Sequence, residues 1–94
     1  MSVDLIVQLY GQLRAEAQSR FIEVRLGGRK PLREALSLLP QTVRRHIIDE
    51  TGEIKPGFLI LVNETDARSV HGYNVEVSDD DRIVVVPMIH GGNY

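Results

Sequence analysis

The sequence predicts an α+β fold in which a mixed sheet of four to five strands grips one main helix and a short second helix. Three observations carry this. Apolar residues alternate with polar ones at Val3–Tyr10 and again at Arg20–Leu26, the period of half-buried strands. Leu32, Ala35, Leu36 and Leu39 then fall at i, i+3, i+4 and i+7, the stripe of a core-facing helix. Two unbroken apolar runs, Phe58–Val62 and Ile83–Val86, follow the helical region.

Taken in order, Val3, Leu5, Val7 and Leu9 give the first strand its core face, while Ile6 and Tyr10 add apolar character to the other. Gly11 begins a polar connection in which Leu13–Gln18 can form a helical turn. Arg20–Leu26 is the antiparallel partner, with Ile22, Val24 and Leu26 on one side and Glu23 and Arg25 on the other, ended by Gly27-Gly28. Pro31 suits a first helical position, where no backbone donor is needed, and Glu34 suits the first turn. Pro40 stops this helix near Leu38 or Leu39. A second helix, about Gln41–Asp49, turns Val43, Ile47 and Ile48 inward, with Gly52 as a left-handed cap. Phe58–Val62 is a strand, Asn63–Asp66 a turn cluster, Tyr73–Val77 a short strand and Ser78–Asp81 a turn. Ile83–Val86 is β-branched throughout, as a central strand covered on both faces would be, and Pro87 limits its pairing. A hairpin, a helical crossover and further strands make a ubiquitin-like β-grasp, with the last strand free to lie parallel to the first. The domain is expected to occupy residues 1–88, with residues 89–94 as a flexible C-terminal tail.

Composition narrows the function. The 94 residues are 43% hydrophobic and 26% charged, the balance of one small folded domain. A net charge of −2 gives no general pull towards nucleic acid or acidic membranes. No apolar run approaches the ~20 residues that span a bilayer, and Asp4 interrupts the early apolar run, so a cytoplasmic address is the expectation. Cysteine is absent, which removes disulfides, thiolate metal sites and thiol catalysis. His46, His71 and His90 are scattered, so no metal site is expected. No nucleophile stands with a base, so the chain is not read as an enzyme. Asp79-Asp80-Asp81 reads as a solvated turn and Arg44-Arg45-His46 as a solvated helix face. Asn63-Glu64-Thr65 matches a glycosylation sequon, which carries no meaning without a secretory signal.

The chemistry lies at the C-terminus, in His90-Gly91-Gly92. A carboxylate that must enter another protein's active site needs a narrow, extended approach free of Cβ, which glycine supplies. Met88 to Gly92 extends roughly 14 Å at ~3.4 Å per residue. A carboxylate so presented can be adenylated, and the acyl group can then pass to sulfide or to a lysine amine. A carrier of this kind needs no catalytic residue, and without cysteine it would hold sulfur as a terminal thiocarboxylate.

Phe58-Leu59-Ile60-Leu61-Val62-Asn63, Asp79-Asp80-Asp81-Arg82-Ile83-Val84-Val85-Val86-Pro87 and Met88-Ile89-His90-Gly91-Gly92 together resemble the ubiquitin-like sulfur carriers and small modifiers. That family includes the small subunit of molybdopterin synthase, the thiamine-biosynthesis carrier, the ubiquitin-related modifiers and the small archaeal modifier proteins. The resemblance implies an adenylating activating enzyme as partner, ATP used by that enzyme with no cofactor held permanently, and a synthase large subunit or target proteins downstream. The sulfur destinations it implies are a molybdopterin precursor or tRNA. Two features depart from the pattern. Asp80 stands where many members have glycine. Asn93-Tyr94 follow the glycine pair, and the resemblance implies their removal by a zinc-dependent processing protease of the deubiquitinase type.

If Ile83 and Val85 face the core, Val84, Val86 and Met88 share the outer sheet face. There they join either Leu59 and Leu61 or Phe58, Ile60 and Val62, and form a docking surface beside the tail. Lys30 and Lys55, both in loops, are the acceptor lysines for any self-conjugation. The competing reading is a ubiquitin-like interaction module that docks through this face and is never activated.

Overall fold

The computed structural model describes residues 4–88. Strand β1 (Leu5–Leu9) buries Leu5, Val7 and Leu9 and leaves Ile6 and Gln8 half-buried on the opposite face. Helix α1 (Gly11–Ala17) follows, buries Leu13, and ends at Gln18 in the left-handed conformation, φ 58°. It returns the chain to β2 (Phe21–Val24), antiparallel to β1 with Leu5 opposite Val24. Next come β3 (Lys30–Pro31), α2 (Leu32–Leu36) and α3 (Gln41–Ile47). A hairpin of β4 (Phe58–Val62) and β5 (Thr65–Asp66) leads to α4 (Ala67–His71), β6 (Glu76–Val77) and β7 (Arg82–Pro87).

The main sheet has the order β2-β1-β7-β4-β5. β7 lies at its centre, parallel to β1 and antiparallel to β4, so that Val85 stands between Leu9 and Ile60. β3 and β6 form a separate two-stranded ladder. The helices cover one face of the main sheet. Leu32, Ala35 and Leu36 from α2 and Val43 and Ile47 from α3 are fully buried in the same core as Leu5, Val7, Ile60, Ile83 and Val85. This is the β-grasp arrangement, and the shared burial of Leu36 and Val85 is what its helix-on-sheet packing requires.

Several elements differ from the sequence reading. α2 ends at Leu36, before Leu38 or Leu39, and the next residues continue as turns, with Leu38 N–H bonded to Ala35 O and Leu39 N–H to Leu36 O. Leu39 stays buried, which is why the helical stripe ran on to it. α3 stops at Ile47 because Ile48 becomes extended and bridges to Ile54. Gly52, at φ +89°, serves a separate turn closed by its N–H on Asp49 O and does not cap that helix. The Arg20–Leu26 strand contracts to Phe21–Val24, and Tyr73–Val77 to Glu76–Val77, because Tyr73 turns to φ 68°. The Asn63–Asp66 cluster resolves into a two-residue turn, Asn63 and Glu64 at φ 49° and 71°, which lets Thr65 and Asp66 pair back onto β4. Two positive φ values are what a tight hairpin of the primed type demands. α4 was not foreseen. Asp66 caps it by accepting from the N–H groups of Arg68 and Ser69, bonds that hold its carboxyl below the usual carboxylate range.

The acidic turn is more than a solvated loop. Asp79 accepts from the backbone N–H groups of Leu26 and Gly27 at 2.8 and 3.2 Å, tying the end of β2 to the approach to β7. Asp81 accepts from Ser78 N–H and from the Asn63 amide, both at 2.8 Å.

Candidate functional site

β7 carries the chain out of the middle of the sheet, and the geometry of that exit defines the site. Pro87 closes the β4–β7 ladder opposite Phe58, and Met88 donates its N–H to Gly57 O at 2.8 Å. His90, Gly91 and Gly92 lie beyond, outside the described residues, together with Asn93 and Tyr94. The fold therefore hands the tail over at a fixed point on its most central strand.

Two surfaces meet at this point. On the helix side is a cavity of about 380 Å³ lined by Gln12, Leu13, His46, Pro56, Gly57, Phe58 and Pro87. Gly11, at φ +58°, starts α1 against Pro87, whose ring carbons would lie 3.5 and 3.7 Å from a Cβ placed there. His46 does not belong to a fully solvated helix face. It is half-buried, and its Nε2 is buried with no hydrogen-bond partner among the described residues.

The other surface is the sheet face turned away from the helices. Ile83, Val85 and Ile60 are fully buried and Val62 nearly so, which puts Val84, Val86, Leu59 and Leu61 on the opposite side, all half-buried. Of the two sets β4 could have offered, the structure presents Leu59 and Leu61. The ladders align them across strands, Leu59 opposite Val86 and Leu61 opposite Val84, with Gln8 on the far side of Val84 and Phe21 beyond Gln8. Tyr10 extends this face beside β7, its hydroxyl accepting from Gln8 Nε2 at 2.9 Å. Tyr10, Phe21 and Met88 are 43%, 46% and 52% exposed. The strip is thus broader than the sequence reading named. The odd-even parity of β2, which sets Phe21 opposite in sense to Ile22 and Val24, is the signal that could have found its outer edge.

Lys30 and Lys55 do not belong to the tail root equally. Lys55 lies next to it, two residues before Gly57, and Lys30 sits in the small β3–β6 ladder. Among the described residues no group of three His, Asp or Glu side chains gathers to hold a metal ion, and no helix is long and apolar enough to cross a membrane.

Comparison with known proteins gives the family and the fold. The family model described as Urm1 (Ubiquitin related modifier) matches residues 10–92, a span that ends on Gly92. A ubiquitin-related modifier 1 homolog from Dictyostelium discoideum is 32% identical over 56 residues, 60% of this chain and 56% of that protein. The match thus spans about half the length of that relative. The solution structure of Urm1 from Trypanosoma brucei superposes with a TM-score of 0.71 at 27% identity, covering 97% of each chain. The crystal structure of SAMP1 from Haloferax volcanii has a TM-score of 0.74 at 22% identity, covering 95% of this chain and 99% of that one, a likeness of fold.

Proposed function

Because the chain belongs to the Urm1 (ubiquitin related modifier) family, we propose that it is a carrier whose Gly92 carboxylate is activated with ATP by a separate adenylating enzyme. A carboxylate oxygen of Gly92 attacks the α-phosphorus, pyrophosphate leaves, and an acyl-adenylate forms. Sulfide or a lysine amine then attacks the acyl carbon and displaces AMP, giving a thiocarboxylate for sulfur transfer or an isopeptide bond to a target protein. The partner enzyme supplies the catalytic groups. This chain supplies an anchored, Cβ-free approach and a surface to dock it.

The observation that carries this reading is the exit of the chain from the central strand. The Met88 N–H bond to Gly57 fixes the tail root in a rigid sheet, with Leu59, Leu61, Val84 and Val86 presented alongside. A partner that grips this face receives the root of the tail at a defined position, which spares the cost of ordering that root when the tail threads the active site. The family match ending at Gly92 supports removal of Asn93-Tyr94 before activation. The two residues would move the carboxylate ~7 Å further along an extended chain and add a ring where glycine should pass.

ATP–pyrophosphate exchange with the cognate adenylating enzyme tests the proposal. The form ending at Gly92 should support exchange and the form ending at Tyr94 should not. Deleting Gly91-Gly92 from the short form should abolish exchange while the domain stays folded. Equal exchange by both forms would refute the trimming step. No exchange by either would leave the non-activated docking module as the better reading.

A further inference from the structure

The chain has two lysines, and the fold sets them at opposite ends of the central strand. Lys55 stands beside the tail root, because Gly57, two residues on, holds Met88. Its Nζ donates to the Arg45 carbonyl at 2.8 Å, in the last turn of α3, and its backbone N–H donates to Ile47 O at 2.7 Å. Lys30 pairs with Val77, which leads through the Ser78–Asp81 turn into Arg82, the first residue of β7. β7 then runs away from that end for about 20 Å before it reaches Met88, at ~3.3 Å per residue. Lys30 Nζ lies 3.9 Å from Glu34 Oε2, with the two side chains 40% and 55% exposed. Such a pair is weak and opens readily.

We propose that Lys30 is the acceptor through which one copy of this chain takes the activated Gly92 carboxyl of another, and that Lys55 is not used. The inference rests on the activation reading above. A donor joined at Lys30 sits at the end opposite the acceptor's own tail root. The acceptor's apolar sheet face stays open, its Gly92 can be activated in turn, and units add head to tail. A donor joined at Lys55 stands against Pro56, Pro87 and Met88, where it covers the approach the activating enzyme needs. Lys55 must also first release the Arg45 carbonyl before its nitrogen can attack. In the step itself, the lone pair of the deprotonated Lys30 Nζ attacks the Gly92 carbonyl carbon of the donor. The C–N bond forms and the C–O bond to the adenylate phosphate breaks. AMP leaves with the electron pair, and the nitrogen gives one proton to solvent. ATP, consumed by the activating enzyme, is the co-reactant.

The test incubates the chain ending at Gly92 with ATP and its adenylating enzyme, then maps linkages after trypsin. Cleavage after Arg82 leaves Ile83–Gly92 as a branch on the modified lysine, a mass shift that identifies the acceptor. The branch should fall on Lys30. Lys30→Arg should lose at least tenfold of the self-conjugate and Lys55→Arg should retain it, while both keep the parent's ATP–pyrophosphate exchange. Branches mainly on Lys55, undiminished conjugate in Lys30→Arg, or exchange with no self-conjugate at all would overturn the proposal and leave the activation reading standing. If the parent itself fails to exchange, that reading falls, and a Gly92 thioester prepared by intein chemistry decides the acceptor without the enzyme. It should acylate Lys30 of an added copy ahead of Lys55, and the reverse order would overturn the assignment.

Discussion

Leu36→Ala removes a side chain on which the helix-to-sheet packing depends. Leu36 closes α2, has no exposed surface, and shares one core with Val85 on the central strand. The change deletes three carbons, about 2.4 kcal/mol of transfer free energy at ~0.8 kcal/mol per methylene. α2 cannot sink to fill the gap, because β3 precedes it directly and the turns to Pro40 follow it directly, so a cavity term of about 1–2 kcal/mol adds to the loss. The sum, about 3.4–4.4 kcal/mol, is a large share of the roughly 5–14 kcal/mol expected for a domain of 94 residues. It corresponds to a melting point lower by about 14–35 °C. Urea unfolding followed by far-UV circular dichroism suits a chain without tryptophan, and the midpoint should fall with the slope unchanged. Leu38→Ala, two residues on and 53% exposed, is the control and should stay within about 0.5 kcal/mol of the parent. A loss below about 1 kcal/mol for Leu36→Ala, or equal losses for the two variants, would refute the packing argument.

Two further outcomes follow from the same structure. Leu59→Gln on the open face of the form ending at Gly92, opposite Val86 and away from Asp66, should raise the KM for the adenylating enzyme at least tenfold while far-UV circular dichroism shows the domain still folded; a Michaelis titration with an unaltered KM would remove this face from docking. Asp49 and Asp66 both have carboxyls held below their ordinary value of 3.8, Asp49 chiefly by the Thr51 hydroxyl and Asp66 chiefly by the Ser69 N–H. The unfolded chain therefore takes up these protons first, so their stabilisation is complete above pH 3.8 and is lost as pH falls through the lower folded values. The urea midpoint should drop across that window, and an Asp49→Asn, Asp66→Asn variant should drop less; an identical slope would contradict the assignment.

The parts of the fold that were legible in the sequence are those whose burial repeats with a period. β1 alternates, β4 is apolar throughout, β7 is apolar from Ile83 onward, and the α2 stripe points at the core. The outer face of β7 could be read as soon as Ile83 and Val85 were assigned inward. The parts that were not legible are held by single polar contacts. α4 has five residues, too few to show a helical period, and exists because Asp66 caps it. The β3–β6 ladder has two residues a side, so no alternation could announce it. Asp79 looked like one of three equivalent acids, and only the long-range approach of Leu26 and Gly27 sets it apart. His46 looked like part of a basic surface spot because its neighbours Arg44 and Arg45 are charged; the packing of α3 towards the β4–β7 end buries its Nε2. The tail is the reverse case. The chemistry proposed for it is read from two glycines in the sequence, and the structure contributes the place on β7 from which the chain departs.

The central, parallel placement of β7 against β1 also decides how the molecule bears mechanical load. Were the proposed joining of the tail to another protein to take place, tension would arrive at the far end of β7, directed along the strand. β1 lies beside it in the same direction, so a counter-load at the N-terminal end of β1 would pull the two strands past each other lengthwise. Every hydrogen bond of that ladder, and of the β4 ladder on the other side, is strained together instead of peeling one at a time. A tail that leaves from the innermost strand thus ties any load placed on it to the core, and the two would give way in a single event.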